Sequence, residues 1–227
     1  YLIIPQGPRD EEFHTAIAEY LSEWATSTAT SEVAGVRIVT DGNQLAFIGI
    51  RDFLDRMGAP WTRYPPDSEV GRELLAELGG DAKLPIVKAF GRPAIGGAHE
   101  NLVATTFYGS PADLGDDYIA DLLVIGSGPA GLAAAVYGAS EGLQTVLLES
   151  EAVGGQAGTS SMIRNYLGFP RGISGMRLAF RARLQATRFG ARIYLGRAVD
   201  GLVAGDVLDV SYGDGVIRTR SVLIACG

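Results

Sequence analysis

The sequence predicts an α/β protein built from two successive units, and three observations support this. Between residues 36 and 106, short apolar strands and amphipathic helices follow one another in the order βαβαββα. From residue 119, an apolar strand runs through three glycines into an alanine-rich helix and a second strand. Alternating strand and short turn patterns over residues 199–216 then indicate a β-meander. Strands that alternate with helices are typical of parallel sheets.

Composition narrows the classes of function. The chain has 227 residues, 47% of them hydrophobic, and a net charge of −7, which argues against nucleic acid or an anionic membrane as the main partner. No apolar run approaches the roughly 18–20 residues of a membrane span. The single cysteine, Cys226, excludes an internal disulfide or CxxC pair and fits a reduced cytoplasmic setting. We expect Cys226 to be a buried small residue, His14 and His99 to be surface or capping residues, and no metal site.

The glycine-rich turn is the most informative feature. Gly126, Gly128 and Gly131 follow the strand at GxGxxG spacing, and Glu149 ends the next strand 23 residues beyond Gly126. The first glycine allows a tight turn, the second lets a pyrophosphate approach the backbone, and the third lets the helix pack on the strand. The motif, in this strand–helix–strand context, therefore predicts a dinucleotide-binding site. The N–H groups at the start of the helix would face the phosphates of the dinucleotide, and the acid would accept hydrogen bonds from its ribose hydroxyls. The alternative to a binding site is a glycine-rich turn in an ordinary βαβ unit.

The first unit resembles the thioredoxin/glutaredoxin fold. The resemblance rests on the βαβαββα order, on Leu84-Pro85-Ile86-Val87 and on Ile95-Gly96-Gly97. It implies a cis proline at Pro85, before the third strand. It also implies a cysteine between the first strand and the first helix, but residues 41–48 read DGNQLAFI and contain no thiol. Because dithiol exchange needs a thiolate, we interpret this unit as a redox-inactive docking or structural module.

The second unit resembles the thioredoxin reductase-like FAD-dependent oxidoreductases. GxGPAG and Glu149 are followed by Gly154-Gly155-Gln156, by an N-x-x-G motif at residues 165–168 and by a closing LIACG. The resemblance implies a Rossmann-like FAD-binding domain, with Gln156 and Asn165 beside the flavin and the backbone near Val199 at the adenine. The alternatives are a flexible loop over residues 154–161 and a helix cap at Asn165. The expected FAD contacts are Gly126, Gly128, Pro129, Ala130, Gly131, Glu149, Gly154, Gly155, Gln156, Asn165 and Val199.

The domain boundaries follow from composition and motifs. We expect a lead helix and linker over residues 1–33, a thioredoxin-like domain over 34–108, a linker over 109–117 and the FAD-binding half over 118–227. The sequence contains no second GxGxxA unit and no CxxC, and both of its ends look cut. The family's NAD(P)H half is therefore expected outside this sequence, and we expect the chain alone to be inactive.

The resemblance predicts an enzyme that moves electrons from NAD(P)H through FAD to a disulfide or another acceptor. No residue is predicted as catalytic. The expected partners are a thioredoxin-like or other redox protein and, by analogy, a second copy of the chain. The alternative is an FAD-binding regulatory or interaction module without turnover, favoured by the cysteine-free first domain. An arginine-rich helix over residues 174–190 is interpreted as a solvated face, with a landing surface for an acidic partner as the alternative.

Overall fold

The computed structural model describes residues 35–115, 117–213 and 215–227, together with Ile17. Residues Gly35–Gly227 form one compact unit. His14 and all of the predicted lead helix except Ile17 lie outside the described residues. Among the described residues, no helix has the length and apolar composition needed to cross a membrane.

The first half of the larger unit holds a small three-stranded sheet. Its strands pair in the order β2-β1-β3, with β1 parallel to β2 and antiparallel to β3. The predicted fourth strand is reduced to one antiparallel bridge between Ile95 and Val87, and the bond between Leu84 and Pro85 is cis. Its elements are β1 Val36–Val39, α1 Leu45–Arg56, β2 Trp61–Tyr64, α2 Glu69–Glu77, β3 Ile86–Ala89 and α3 Glu100–Tyr108. Apart from that fourth strand, the order matches the predicted βαβαββα arrangement.

Local signals explain where these helices begin. The Ser68 hydroxyl accepts a hydrogen bond from the backbone N–H of Gly71 at 3.0 Å, which caps α2. His99 caps α3, because its Nδ1 accepts from the backbone N–H of Leu102 at 3.4 Å. The predicted capping role of His99 is thus confirmed.

The second half contains a four-stranded parallel sheet and a β-meander that packs on it. The parallel sheet has the order β11-β5-β6-β7, and the second sheet has the order β4-β10-β9-β8. A short 3-10 turn, Pro111–Leu114, precedes them. The elements are β4 Ile119–Ala120, β5 Leu122–Ile125, α4 Pro129–Ser140, β6 Thr145–Glu149, α5 Gly155–Gly158, α6 Gly175–Arg188, β7 Arg192–Leu195, β8 Val199–Val203, β9 Leu208–Tyr212, β10 Gly215–Thr219 and β11 Val222–Ile224.

One hydrophobic cluster joins the small sheet to the parallel sheet. It contains Ile38 of β1 and Leu54 of α1, Val103 of α3, and Leu147 and Leu195 of the parallel sheet, all fully buried. A separate cluster lies between the parallel sheet and the meander. The carboxyl ends of β5 and β6 lie side by side in the larger sheet, because these strands pair in parallel register from Leu122 and Thr145. The boundaries of the predicted domains stay predictions.

Candidate functional site

The turn that follows β5 is built on the close approach of two backbone segments. Gly126 has φ of +98°, and a Cβ at this position would lie 2.6 Å from the Ala225 carbonyl oxygen. Its N–H donates to the Leu148 carbonyl at 2.8 Å, which holds the turn against the end of β6. Both facts restrict this position to glycine, because other residues rarely adopt positive φ and have no room for their side chain.

The other two glycines of the motif have different surroundings. A Cβ on Gly131 would lie 2.0 Å from the Gly126 carbonyl oxygen, so this glycine lets α4 pack on the turn. Gly128 is the N-cap of α4, has ordinary extended backbone and would place a Cβ in space with no atom within 4 Å. Steric need inside the protein therefore explains Gly126 and Gly131, whereas Gly128 borders open space at the N-terminus of a twelve-residue helix. Backbone N–H groups at such an end are free to bind an anion.

Glu149 lies at the tip of β6 with its carboxylate turned toward this turn. Only 9% of the residue is exposed. Its Oε2 accepts from the backbone N–H of Ser127 at 2.8 Å and from the Ser127 hydroxyl at 2.7 Å. Its Oε1 accepts from the backbone N–H of Glu151 at 2.9 Å and from the Ser150 hydroxyl at 3.2 Å. All four acceptor positions of the carboxylate are thereby used, two of them by hydroxyls that can rotate away.

The loop after β6 returns to the same turn. The N–H of Gly154 donates to the Ser127 carbonyl at 2.9 Å, and Gly154 and Gly155 have φ of +107° and +52°. A Cβ on Gly155 would lie 3.3 Å from the Gly128 Cα, so the two glycine segments are in contact. This segment is ordered into α5, Gly155–Gly158, where the open alternative was a flexible loop, and Gln156 on α5 is exposed.

The structure brings most of the predicted residues together and leaves two apart. Pro129 and Ala130 form the first turn of α4, beside Gly128. Asn165 is exposed in a bend; the cap of α6 is Ser174, so the helix-cap alternative for Asn165 is wrong. Val199 lies half-buried in β8 of the other sheet, two residues after Arg197, whose backbone N–H donates to the Glu149 carbonyl at 2.8 Å.

Sequence reasoning missed Ser127 and made an error at Cys226. Ser127 is fully buried and supplies two of the hydrogen bonds to Glu149. It occupies a variable position of GxGxxG, so the motif itself assigned it nothing. Cys226 is exposed, contrary to the prediction that it is buried. The reason is that β11 ends at Ile224, at the edge of the sheet, and only a 3.6 Å contact from Sγ to the Ile125 carbonyl holds the side chain.

Metal-binding residues do not cluster near this turn. Across residues 35–115, 117–213 and 215–227, no three histidine, cysteine or carboxylate side chains are grouped so that they could hold a metal ion. The site therefore consists of backbone N–H groups, a buried carboxylate and glycines that border open space.

Comparisons with known proteins agree with this geometry. Residues 121–211 match the family model for FAD dependent oxidoreductases. The chain is 38% identical over 107 residues to a thioredoxin reductase of Peptoclostridium acidaminophilum, covering 47% of this chain and 34% of that protein. It is 34% identical over 128 residues to NADPH-dependent thioredoxin reductase 3 of Arabidopsis thaliana, covering 55% of this chain and 24% of that protein.

Among solved structures, the thioredoxin reductase of Streptococcus pyogenes is 34% identical, covers 49% of this chain and 36% of that one, and has a TM-score of 0.47. The chain spans about a third of the length of the curated relatives it matches. The match falls on the segment with the glycine turn and Glu149. The half of the chain that contains this turn is thus similar in sequence to thioredoxin reductases, and it matches the family model for FAD dependent oxidoreductases.

Proposed function

We propose that this chain binds FAD at the turn between β5 and α4, and that the whole protein uses this flavin to pass electrons from NAD(P)H to a disulfide or another acceptor. The observation that supports the proposal most directly is the pairing of Gly128 with Glu149. Gly128 borders open space at the N-terminus of α4, and the buried Glu149 carboxylate faces the residue between Gly126 and Gly128. A dinucleotide needs both features, one for its pyrophosphate and one for a ribose.

The residues fit FAD by charge as well as by shape. Backbone N–H groups at the first turn of α4 would bind the pyrophosphate, and the helix dipole favours that negative charge. Glu149 would accept the ribose hydroxyls once the hydroxyls of Ser127 and Ser150 rotate away. A carboxylate here disfavours a ribose 2′-phosphate, which argues against NADP at this position. FAD, when bound, supplies the acceptor of the hydride, and the protein positions and shields it.

The electron path beyond FAD is the second part of the proposal. The relatives that match are thioredoxin reductases, which supports NAD(P)H as donor and a thioredoxin-like or other redox protein as partner, with a homodimer as the proposed assembly. A hydride carries two electrons and one proton, so reducing a disulfide to two thiols requires one further proton from solvent. The only cysteine of this sequence is Cys226, so the disulfide belongs to another part of the protein or to a partner.

The FAD site is tested by replacing Gly128 with alanine. The new Cβ enters the space assigned to the pyrophosphate, so we expect Gly128→Ala to weaken FAD binding at least tenfold, measured by quenching of flavin fluorescence. Folding should change little, because no atom lies within 4 Å of that Cβ and an N-cap glycine-to-alanine change costs about 1 kcal/mol or less. Gly201→Ala in β8, whose Cβ meets Ser211 at 3.4 Å, is the matched control. Wild-type affinity in Gly128→Ala would refute this site.

A second candidate function is an FAD-binding module without turnover. It is favoured by the absence of a thiol in residues 41–48, where a redox-active thioredoxin-like domain carries one. The two functions are separated by adding NAD(P)H to the flavin-loaded, full-length protein under anaerobic conditions. Bleaching of the flavin absorption band supports the oxidoreductase, and a stable oxidised spectrum supports the module.

A further inference from the structure

A cavity of about 410 Å³ lies between the 3-10 turn Pro111–Leu114 and the β-meander. Its walls come from this turn, from Tyr118 and from the paired strands β9 and β10. Leu114 and Tyr118 also pack on the hydrophobic cluster between the two sheets of this half. None of the described residues that line the cavity belongs to the glycine turn or to the loop after Glu149, so the proposed FAD site does not account for it.

One wall of the cavity holds a carboxylate oxygen that its described neighbours leave without a hydrogen-bond donor. Asp209 of β9 lines the cavity, and its Oδ1 is shielded from solvent and accepts no hydrogen bond from the described residues. Such an oxygen is unfavourable, because it loses its hydration on folding and gains no bond in exchange. Rotation about χ2 exchanges the two carboxylate oxygens, so either of them can accept a hydrogen bond from a group inside the cavity.

Arg218 of β10 lies directly opposite Asp209 in the antiparallel register of the two strands. Side chains at such positions share one face of the sheet, with their Cβ atoms about 4.5–5.5 Å apart. Among the described lining residues, these two are the charged ones. Arg218 already takes part in another interaction, but a guanidinium has five N–H donors and can bind a further carboxylate. The cavity therefore presents an acceptor for a cation and a donor for an anion side by side.

The rest of the lining is mainly apolar and aromatic, and it is held in place. The Tyr212 ring lies against Gly215, where a Cβ would approach it to 2.4 Å. The 3-10 turn is fixed by a capping box: the Ser110 hydroxyl accepts from the N–H of Ala112 at 3.4 Å, and the Asp113 carboxylate accepts from the N–H of Ser110 at 3.1 Å. A preformed cavity of this kind binds an apolar ligand body and orients it through a few polar groups.

We propose that this cavity binds a free amino acid with an apolar side chain. The ammonium group of the ligand donates to the Asp209 carboxylate, and its carboxylate accepts from the Arg218 guanidinium. Its side chain lies against Leu114 and Tyr118. A zwitterion matches the lining in charge, because each of its charged groups meets one group of opposite sign. An amine alone would face the Arg218 cation unpaired, and an acid alone would face the Asp209 anion.

The test compares amino acids with analogues that lack one charged group. We expect the 227-residue protein to bind L-phenylalanine and L-leucine, followed by ligand-observed NMR titration. It should bind 2-phenylethylamine, which has no carboxylate, and 3-phenylpropanoate, which has no ammonium group, about tenfold more weakly than L-phenylalanine.

Substitutions then assign the two ends of the ligand. Asp209→Asn should weaken binding of L-phenylalanine about tenfold without weakening that of 3-phenylpropanoate, which offers no ammonium group to this position. Val216→Trp, which enlarges an exposed side chain of the lining, should weaken binding of every ligand. Asp206→Asn, the same chemical change in the turn between β8 and β9, is the control and should bind as the wild type does. Circular dichroism melting without ligand checks that each variant is folded.

Four results would overturn the assignment. The wild type binds neither amino acid, or it binds either analogue as tightly as L-phenylalanine. Asp209→Asn loses affinity equally for L-phenylalanine and 3-phenylpropanoate, which indicates general damage. Val216→Trp binds as the wild type does, which places the ligand elsewhere. None of these variants alters the glycine turn or Glu149, so the FAD site is judged separately by Gly128→Ala.

Discussion

The interaction between Ser127 and Glu149 is the residue-scale feature on which the proposed nucleotide binding depends. A carboxylate that accepts two N–H and two O–H groups is held in one orientation before any ligand arrives. Removing its charge removes that orientation. In Glu149→Gln, the amide nitrogen would face donors of its own kind, and a buried donor left without an acceptor costs about 1–3 kcal/mol.

We therefore expect Glu149→Gln to lower the free energy of unfolding by about 1–3 kcal/mol and to weaken FAD binding more than tenfold. Urea denaturation of the apoprotein and flavin titration measure the two effects. Ser127→Ala is the informative comparison, because it keeps the backbone N–H bond and frees one acceptor position for a ribose hydroxyl. Its FAD affinity should stay within threefold of wild type. Wild-type binding by Glu149→Gln would remove Glu149 from the site.

At this scale the sequence predicted the glycines well because their reasons are local. Positive φ at Gly126 and contact at Gly131 are consequences of a strand that turns directly into a helix. Ser127 was not predicted, because its partner is 22 positions away and the motif allows any residue there. Cys226 was mispredicted for a related reason: an apolar neighbourhood in the sequence does not say whether a strand lies at the centre or at the edge of its sheet.

At the element scale, Asp121 ties the start of β5 to the start of β6. Its Oδ2 accepts from the backbone N–H of Gln144 at 2.8 Å, and its Oδ1 pairs with Arg220. The bond from Gln144, with further help from Arg220, holds the pKa of Asp121 below its usual 3.8. A depressed carboxyl pKa stabilises the fold above the unfolded value of 3.8, and this contribution is lost as the pH falls through the folded value.

Asp121→Ala should therefore be less stable than wild type at neutral pH, with a difference that narrows once the pH falls below about 3.8. Urea midpoints between pH 7 and pH 2.5 follow this. Asp81→Ala, at an exposed position in the loop before β3, is the control. Its urea midpoint should change with pH in the same way as that of the wild type. A difference that stays constant down to the lowest pH would show that the carboxylate charge of Asp121 contributes nothing.

Periodicity predicted the elements themselves closely, but it did not predict their pairing. The arginine-rich helix expected over residues 174–190 runs over Gly175–Arg188. The alanine-rich helix begins at Pro129, inside the glycine motif, because Gly128 is its N-cap. The predicted strand around Ile95 amounts to one bridge, since the turn after β3 leaves few residues to pair. A short apolar stretch predicts that a segment is buried, but it does not predict how many of its residues pair with a neighbouring strand.

At the scale of the whole molecule, the common hydrophobic cluster couples the two halves of the larger unit. Leu195 of β7 is fully buried in the same cluster as Ile38 of β1 and Leu54 of α1. The sequence did not predict this coupling, because the residues that meet are far apart in the chain and no pattern names the partner of an apolar face. A substitution that destabilises the parallel sheet should therefore destabilise the small sheet as well.

We expect Leu195→Ala to cost about 2–5 kcal/mol and to lower the midpoint of unfolding in both halves together. In a Trp24→Phe background, Trp61 of β2 is the only tryptophan and reports the small sheet, while far-UV circular dichroism reports the whole chain. The two urea transitions should coincide. Leu202→Ala, at an exposed position of β8, is the control. It should change the free energy of unfolding measured by either probe by no more than about 0.5 kcal/mol. If the urea midpoint reported by Trp61 is the same with and without Leu195→Ala, the two halves unfold separately.

The bonds made by Arg197 have a consequence for how the two halves respond to their surroundings. Its guanidinium donates to the hydroxyls of Thr105 and Ser110, while its backbone N–H donates to the Glu149 carbonyl at 2.8 Å. One residue thus connects α3 of the first half to the strand that ends in Glu149. Loss of this side chain would therefore loosen the first half against the very strand end that the proposed cofactor uses.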